Sequence, residues 1–140
     1  TYLALVEGRV DPPRGIVDAP LGPDPEDPRR RAVVEKGQSA RSEYRVLEQY
    51  GDEAALLLVD IFTGRTHQIR VHLANEGHPI VGDPKYGDFA LNRQLARGEH
   101  RFSRMFLHAR RLVFDHPASG ERIEVEAPLP PECATLLGQL

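Results

Sequence analysis

Residues 11–31 restrict the fold more than any other part of the chain. They read DPPRGIVDAPLGPDPEDPRRR. Proline lacks an N–H donor and blocks the helical turn before it, so no long helix can run through this segment. We interpret it as a Pro- and Gly-rich connecting loop within a single domain, with room for one short strand at residues 15–20.

Strands are predicted on both sides of this loop. Residues 1–10 have the aromatic and β-branched content of a strand. Residues 44–50 and 54–62 flank a turn at Gly51-Asp52, which favours an antiparallel hairpin. Further along, residues 104–116 and 121–128 read as two more strands, and the second alternates like a half-buried one.

One helix is predicted directly after the hairpin. Thr66 is a suitable N-cap, and Gly77 is a suitable C-terminal stop. Ile69 and Leu73 are four residues apart, so they share one helical face. Arg70 would lie on a different side of that helix from Ile69.

Two more helices complete the predicted architecture. Residues 89–98 form one, with Leu91, Leu95 and Phe89 turned inward, and residues 130–140 form a short terminal one. The sum is an α+β fold: a mainly antiparallel mixed sheet with a few flanking helices.

Composition limits the class of protein. The 140 residues suit one domain, and 40% hydrophobic with 28% charged residues is an ordinary globular balance. No apolar run approaches the ~18 residues of a membrane span, and no signal peptide is recognisable. A single cysteine, Cys133, excludes an internal disulfide and fits a reducing compartment, so we expect a cytoplasmic protein without a membrane partner.

The charge is unevenly distributed. A net charge of −3 argues against a nonspecific nucleic-acid binder. Residues 91–111 nevertheless carry six arginines against one glutamate. Such a stretch either neutralises the phosphates of a nucleic acid or forms the solvent-exposed face of a helix. The sequence leaves both interpretations open.

Several kinds of chemistry lack support in the sequence. His67, His72 and His78 do not have the spacing of a helical ligand pair, so no metal site is predicted. A metal-dependent hydrolase built on these histidines is kept as an alternative function. No G-x-S-x-G motif and no Gly-rich phosphate loop occurs. We expect no metal.

The run TGRTHQIRVH, residues 63–72, concentrates cationic and ring side chains where a strand leads into a helix. Free N–H groups and the helix dipole favour an anion there, so Arg65 and His67 are candidates for phosphate contact. Arg70, one turn into the helix, needs a carboxylate partner if it is buried. Alternatively, Arg70 braces the fold through a salt bridge.

These motifs closely resemble the RluA-type family of ribosomal large-subunit pseudouridine synthases. The resemblance rests on TYLALVEG, then GRTHQIR, then GHPIVGDPKYG, then FLHA, in this order and spacing, and it covers essentially the whole chain. It implies the pseudouridine synthase catalytic fold and a cofactor-free isomerisation of a specific uridine in structured RNA, expected to be large-subunit ribosomal RNA. The uridine is flipped out of its RNA, which costs a few kcal/mol of unstacking.

Three catalytic positions are implied by the resemblance. Tyr2 matches the tyrosine that stacks on the base and takes the proton from the new carbon attachment. Arg70 matches the basic partner that holds the catalytic aspartate ionised. Leu107 matches the apolar wall beside the base. Taken without the family, Tyr2 and Leu107 are equally consistent with ordinary core packing.

RNA contacts are predicted around the same motifs. His67 either touches RNA or orients the backbone through a hydrogen bond, and Lys85 with Tyr86 either contacts RNA or shapes a turn. The candidate RNA-binding residues are Arg65, Thr66, His67, Lys85 and Arg104.

The family's nucleophile lies in a segment resembling HRLDxxTSG, and no HRLD occurs in these 140 residues. Neither Asp60 nor Asp83 lies in that context, so we assign the role to neither. We expect residues 1–140 to be the C-terminal portion of a catalytic domain whose partner is its own upstream part. Alone, the chain is predicted to be inactive, with Arg70 lacking its carboxylate and strand edges bare. The alternative is a noncatalytic RNA-binding remnant.

Overall fold

Nine strands and three helices make up the computed structural model, which describes residues 1–140. The α+β class predicted from the sequence is confirmed. No helix is long and apolar enough to cross a bilayer. In chain order the elements are β1 (Tyr2–Glu7), β2 (Arg14–Asp18), β3 (Leu21–Pro23), β4 (Arg31–Val33), β5 (Arg41–Tyr50), β6 (Ala54–Ile61), α1 (Gln68–Asn75), α2 (Phe89–Arg97), β7 (Leu107–Ala109), β8 (Arg111–Asp115), β9 (Arg122–Glu126) and α3 (Pro131–Gln139).

A five-stranded antiparallel sheet with the order β2-β5-β6-β1-β7 is the frame of the molecule. Its longest pairing joins β5 to β6 across a turn in which Gly51 has a φ of 58°. This confirms the predicted hairpin. A register shift between Val46 and Glu48 marks a bulge in β5, and a bulge increases the local twist of a sheet.

Side chains alternate between the two faces of this sheet, as the pleat requires. One face of β1 and β6 packs under α1, whose Ile69 and Leu73 are buried there. The other face packs against α3 through Cys133 and Leu136. The buried residues of the α1-side core are Ala4, Val6, Val10, Ala55, Leu57, Val59, Ile69, Leu73 and Ile80.

The loop at residues 11–31 holds more regular structure than a single short strand. It contains β2, near the expected position, and also β3. Strand β3 pairs with β4 as a separate two-stranded arm. The arm is anchored on α1 because Leu21 is buried together with Val71 and Ala40.

Three local expectations are wrong. The residue that precedes α1 is His67, not Thr66, and no side chain caps its N-terminus by a hydrogen bond. Phe89 is 49% exposed, because it is the first residue of α2 and lies outside the hydrophobic core clusters. The single strand expected at residues 104–116 is divided at Arg110 into β7, which joins the main sheet, and β8, which pairs with β9.

The β8–β9 hairpin leaves apolar side chains exposed. Leu112, Phe114 and Val125 are between 40% and 60% exposed. Large apolar groups in a two-stranded sheet are not buried by that sheet itself. The hairpin therefore presents an uncovered apolar surface.

Candidate active site

The site centres on a two-pronged ion pair between Arg70 and Asp83. Arg70 Nε donates to Asp83 Oδ2 at 2.9 Å, and Nη2 donates to Oδ1 at 2.8 Å. Asp83 is fully buried, and the Arg70 side chain is 15% exposed. A planar guanidinium matches a carboxylate in this geometry. The two parallel hydrogen bonds fix the orientation of the Arg70 guanidinium and favour the ionised form of Asp83.

Backbone groups complete the environment of Asp83. Its Oδ1 also accepts the N–H groups of Lys85 and Tyr86, at 2.9 and 3.1 Å. Burial pushes the pKa of Asp83 up, but the hydrogen bonds from Arg70, Lys85 and Tyr86 outweigh it and hold the pKa below its ordinary value. The hydrogen bond to Asp83 raises the pKa of Arg70. Both groups are therefore ionised at neutral pH.

This pair overturns one expectation. Arg70 does not lack a carboxylate within the chain, because the GDPKYG turn folds Asp83 back onto α1. The complete burial of Asp83 and its four hydrogen bonds exclude it from attacking a substrate in this conformation. Asp60 is half-exposed and accepts a hydrogen bond from the Thr1 hydroxyl.

Tyr86 connects the ion pair to the β3–β4 arm. The guanidinium carbons of Arg70 and Arg30 lie 5.1 and 4.9 Å from the centre of its ring, distances typical of cation–π contacts. Its hydroxyl accepts the backbone N–H of Arg31 at 2.9 Å and lies 2.8 Å from Nδ1 of His67. Tyr86 thus has contacts that a turn residue does not need.

His67 is held in an unusual backbone conformation at the start of α1. Its φ is 57°, in the left-handed region, which residues other than glycine seldom adopt, although histidine does so more often than most. Burial first, and then the positive charges of Arg70 and Lys85, lower the pKa of His67. The imidazole is therefore neutral at pH 7, and Nδ1 can accept the Tyr86 proton.

The other two histidines of the motif have structural partners. His72 is buried, with Nδ1 against the Ser42 hydroxyl and Nε2 against the Ala19 carbonyl oxygen, both at 2.9 Å. His78 Nδ1 donates to the carbonyl oxygen of Glu7. No three His, Cys, Asp or Glu side chains lie close enough together to hold a metal ion.

Tyr2 and Leu107 lie on the side of the sheet that α1 covers. Tyr2 pairs with Ala109, and Leu107 pairs with Ala4, in neighbouring strands. Both are half-buried and pack against the core cluster that includes Ile69, the residue before Arg70. The structure thus places Tyr2 and Leu107 against the same core cluster, while the contacts of Arg70 are with Asp83 and Tyr86.

The predicted RNA contacts fall into two places. Arg65 Nε donates to the Ser39 carbonyl oxygen, Thr66 is exposed, and Lys85 Nζ donates to the Arg29 carbonyl oxygen at 2.7 Å. These residues and His67 lie near the start of α1 or beside Tyr86. Arg104 is directed elsewhere, because its Nη1 pairs with Glu132 of α3 at 2.9 Å.

Two site residues have roles that the sequence does not reveal. Tyr86 reads as a turn residue or an RNA contact, since no local pattern indicates its contacts with Arg30 and Arg70. Gln68 is buried at the first position of α1, where its amide oxygen accepts the Arg65 N–H and its amide nitrogen donates to the Arg41 carbonyl oxygen. It ties the start of α1 to β5, a role that its polarity alone does not predict.

Gly82 gives a stability prediction next to the ion pair. Its φ is 79°, and a Cβ there would overlap the Arg104 carbonyl oxygen. We expect Gly82→Ala to lower the free energy of unfolding by about 2–5 kcal/mol, from backbone strain together with overpacking. Gly120→Ala is the matched control, since Gly120 has a φ of 70° and open space around it. Urea denaturation should show only about 1–2 kcal/mol for that control; equal losses would remove the steric argument.

The comparisons with known proteins agree on one family. The family described as RNA pseudouridylate synthase matches residues 1–75. An RNA pseudouridine synthase of Chloroflexus aurantiacus is 50% identical over 99% of this chain and 41% of its own length. The ribosomal large subunit pseudouridine synthase D of Nitrosomonas europaea is 47% identical over 97% of this chain and 39% of its own length.

A solved structure has the same fold. Human RNA pseudouridylate synthase domain containing 1 superimposes with a TM-score of 0.74 at 34% identity, covering 91% of this chain and 53% of that one. The chain belongs to the RNA pseudouridylate synthase family, and within it to the RluA-type branch. It spans about two fifths of the length of the curated relatives named above.

Proposed function

We propose that this chain is part of an RNA pseudouridine synthase and that Arg70 holds the catalytic carboxylate of that enzyme. One observation carries the proposal. Asp83 and Tyr86 immobilise the guanidinium of Arg70. Its Nη1 nevertheless makes no hydrogen bond within the chain, and this atom is accessible to solvent. A fixed cation with free, accessible donors is suited to hold a second carboxylate ionised.

The reaction needs no group other than protein side chains and RNA. An aspartate from an HRLD-type segment outside residues 1–140 attacks the nucleoside, and the bond from the sugar to the base nitrogen breaks. The base turns over, and its carbon forms a new bond to the sugar as the aspartate leaves. The base nitrogen that was released gains a proton, which balances the proton lost from the carbon. Tyr2 stacks on the base and takes the proton that leaves this carbon, while Leu107 supplies an apolar wall. The half-buried positions of Tyr2 and Leu107 on the α1 side of the sheet support these roles.

The substrate we propose is large-subunit ribosomal RNA in the cytoplasm. The name of the Nitrosomonas europaea relative supports this class of RNA. We propose direct RNA contacts for Arg65, Thr66, His67 and Lys85, which flank the Arg70 site. Arg104 is a further proposed contact, although RNA would have to compete there with Glu132.

The partner we propose for the exposed apolar surface is the remainder of the catalytic domain. Leu112, Phe114 and Val125 of the β8–β9 hairpin are uncovered in these 140 residues. Exposed apolar groups on neighbouring strands commonly mark an interface. The nucleophile segment would reach Arg70 as part of the same association.

A noncatalytic RNA-binding protein is the second candidate. Arg93, Arg97 and Arg101 form no salt bridge, so they are available for phosphates. This candidate requires RNA binding without any isomerisation, even when an HRLD segment is present.

Tritium release separates the two candidates. The RNA carries tritium on the uracil carbon that becomes the new glycosidic position, and the chain is assayed alone and as part of a longer polypeptide with an HRLD segment. We expect release only from the longer polypeptide. Release from residues 1–140 alone would contradict the expected inactivity and make Asp60 the first residue to mutate. No release from either would favour the noncatalytic protein.

A further inference from the structure

Cationic side chains from three separate segments converge beside Tyr86. Arg30 and Arg70 both lie over its ring, and the backbone of Arg31 donates to its hydroxyl. Lys85, the preceding residue, reaches the Arg29 carbonyl oxygen with its ammonium group. The arm, the GDPKYG turn and α1 thus contribute to one cluster.

Carboxylates do not balance this cluster. Asp83 is committed to Arg70, and Asp27 in the turn of the arm pairs with Arg29 at 3.1 Å. Arg30, Arg31 and Lys85 take part in no salt bridge within the chain, while the seven salt bridges that form all involve other groups. Arg31, Arg70 and Lys85 each also lower the pKa of His67, after the larger effect of its burial and against the opposing charge of Asp83. Around His67 the cationic side chains therefore outnumber the carboxylates that act on it.

Arg30 lacks an acceptor at a buried position. Its Nε is the single buried side-chain nitrogen or oxygen atom without a hydrogen-bond partner in the whole chain. An unsatisfied buried donor destabilises the folded chain. An anion that draws the Arg30 side chain into a new hydrogen bond would remove this destabilisation.

We propose that Arg30, Arg31 and Lys85 form a subsite for RNA backbone phosphate beside the nucleotide that Arg70 serves. This proposal rests on the proposed function. The guanidinium carbons of Arg30 and Arg70 are at most about 10 Å apart, the sum of their distances to the Tyr86 ring centre. A phosphate held by Arg30 would therefore lie close to the guanidinium of Arg70.

Contacts through Tyr86 hold this subsite in a fixed position relative to Arg70. The hydrogen bond from the Arg31 N–H to the Tyr86 hydroxyl fixes the start of β4, and Leu21 anchors the arm against Val71. His67 Nδ1 faces the Tyr86 hydroxyl at 2.8 Å, and Nε2 makes no hydrogen bond within the chain. In the tautomer in which Nδ1 accepts the Tyr86 proton, Nε2 carries the ring proton. His67 can thus donate to the same phosphate.

The test is the salt dependence of RNA binding. The full chain and its Arg30→Ala/Arg31→Ala variant are titrated into a fluorescein-labelled single-stranded RNA, and anisotropy is followed between about 50 and 200 mM salt. If the variant no longer neutralises one or two phosphates, the slope of log K against log salt should become shallower by about 0.7–1.4. Arg122→Ala is the control for the loss of an arginine elsewhere on the surface, because Arg122 lies in β9 and forms no salt bridge.

A second variant guards against misfolding. Arg30→Lys/Arg31→Lys keeps both charges, so it should keep the slope of the unaltered chain although it loses guanidinium geometry. An Ala variant with the slope of the unaltered chain, or an Arg122→Ala control with the same reduction, overturns the subsite. So does a complete lack of RNA binding by the unaltered chain. None of these results decides whether the longer polypeptide releases tritium, so the proposed function fails or stands separately.

Discussion

Replacing Asp83 with alanine is expected to lower the free energy of unfolding by about 3–5 kcal/mol, the range for removing one partner of a buried ion pair. The mutation leaves the guanidinium of Arg70, itself 15% exposed, without its carboxylate. It also removes the acceptor of the Lys85 and Tyr86 N–H groups. Because Arg70 Nη1 still reaches solvent, a value near the lower end of this range is expected.

Urea denaturation of the full chain measures this loss. Asp60→Ala serves as the control, since Asp60 is half-exposed, its pairing with the N-terminus is weak at 3.9 Å, and its other partner is the Thr1 hydroxyl. Such an exposed pair contributes only about 0–1 kcal/mol. Equal losses for the two variants would mean that the buried pair does not stabilise the fold.

The stabilisation by Asp83 should depend on pH in one direction. Its pKa in the folded chain is lowered, because the hydrogen bonds from Arg70 and two backbone N–H groups outweigh burial. A carboxyl with a depressed folded pKa contributes stability above its unfolded pKa of about 3.9 and loses it as the pH falls through the folded value. The difference between the unaltered chain and Asp83→Ala should therefore be constant near neutrality and shrink in acid.

Local patterns predict the elements of this fold well. The β5–β6 hairpin, α2 and the β9 strand follow from turn residues and from apolar periodicity over a few positions. Residues 104–116 read as one strand because nothing in the local pattern signals that β7 and β8 enter different sheets. Periodicity alone places Phe89 inward, yet the first turn of α2 lies beyond the core.

The contacts of the site depend on tertiary structure. The motif identifies Arg70 as a residue that needs a carboxylate, but its partner Asp83 lies 13 residues away across a helix and a turn. Likewise, Tyr86 meets Arg30 only because the arm folds back onto α1 over a separation of more than fifty residues. Sequence spacing predicts which groups share a helical face, and it carries no information on which loop closes over that face.

Replacing Arg70 with alanine should have the largest effect on catalysis. In a longer polypeptide that releases tritium, we expect the single-turnover rate at saturating RNA to fall by at least about 10²-fold, as for the loss of one preorganised charged donor. RNA affinity should change little, because Nε and Nη2 bind Asp83 and the free Nη1 is proposed to face a protein carboxylate, not a phosphate. Arg9→Ala is the matched control, since Arg9 is an exposed arginine whose contacts, with the Asp52 carboxylate and the Gly51 carbonyl oxygen, lie at the surface.

Arg70→Lys distinguishes charge from geometry at this position. An ammonium keeps the positive charge but cannot make the two parallel hydrogen bonds to Asp83 and still offer donors to a second carboxylate. If Arg70 holds the nucleophile ionised, the rate should remain far below that of the unaltered enzyme, with more of the loss recovered at higher pH as the nucleophile ionises without help. Full activity with lysine would show that a positive charge suffices. If the rate falls only in proportion to the fraction of folded protein, Arg70 has a structural role and no catalytic one.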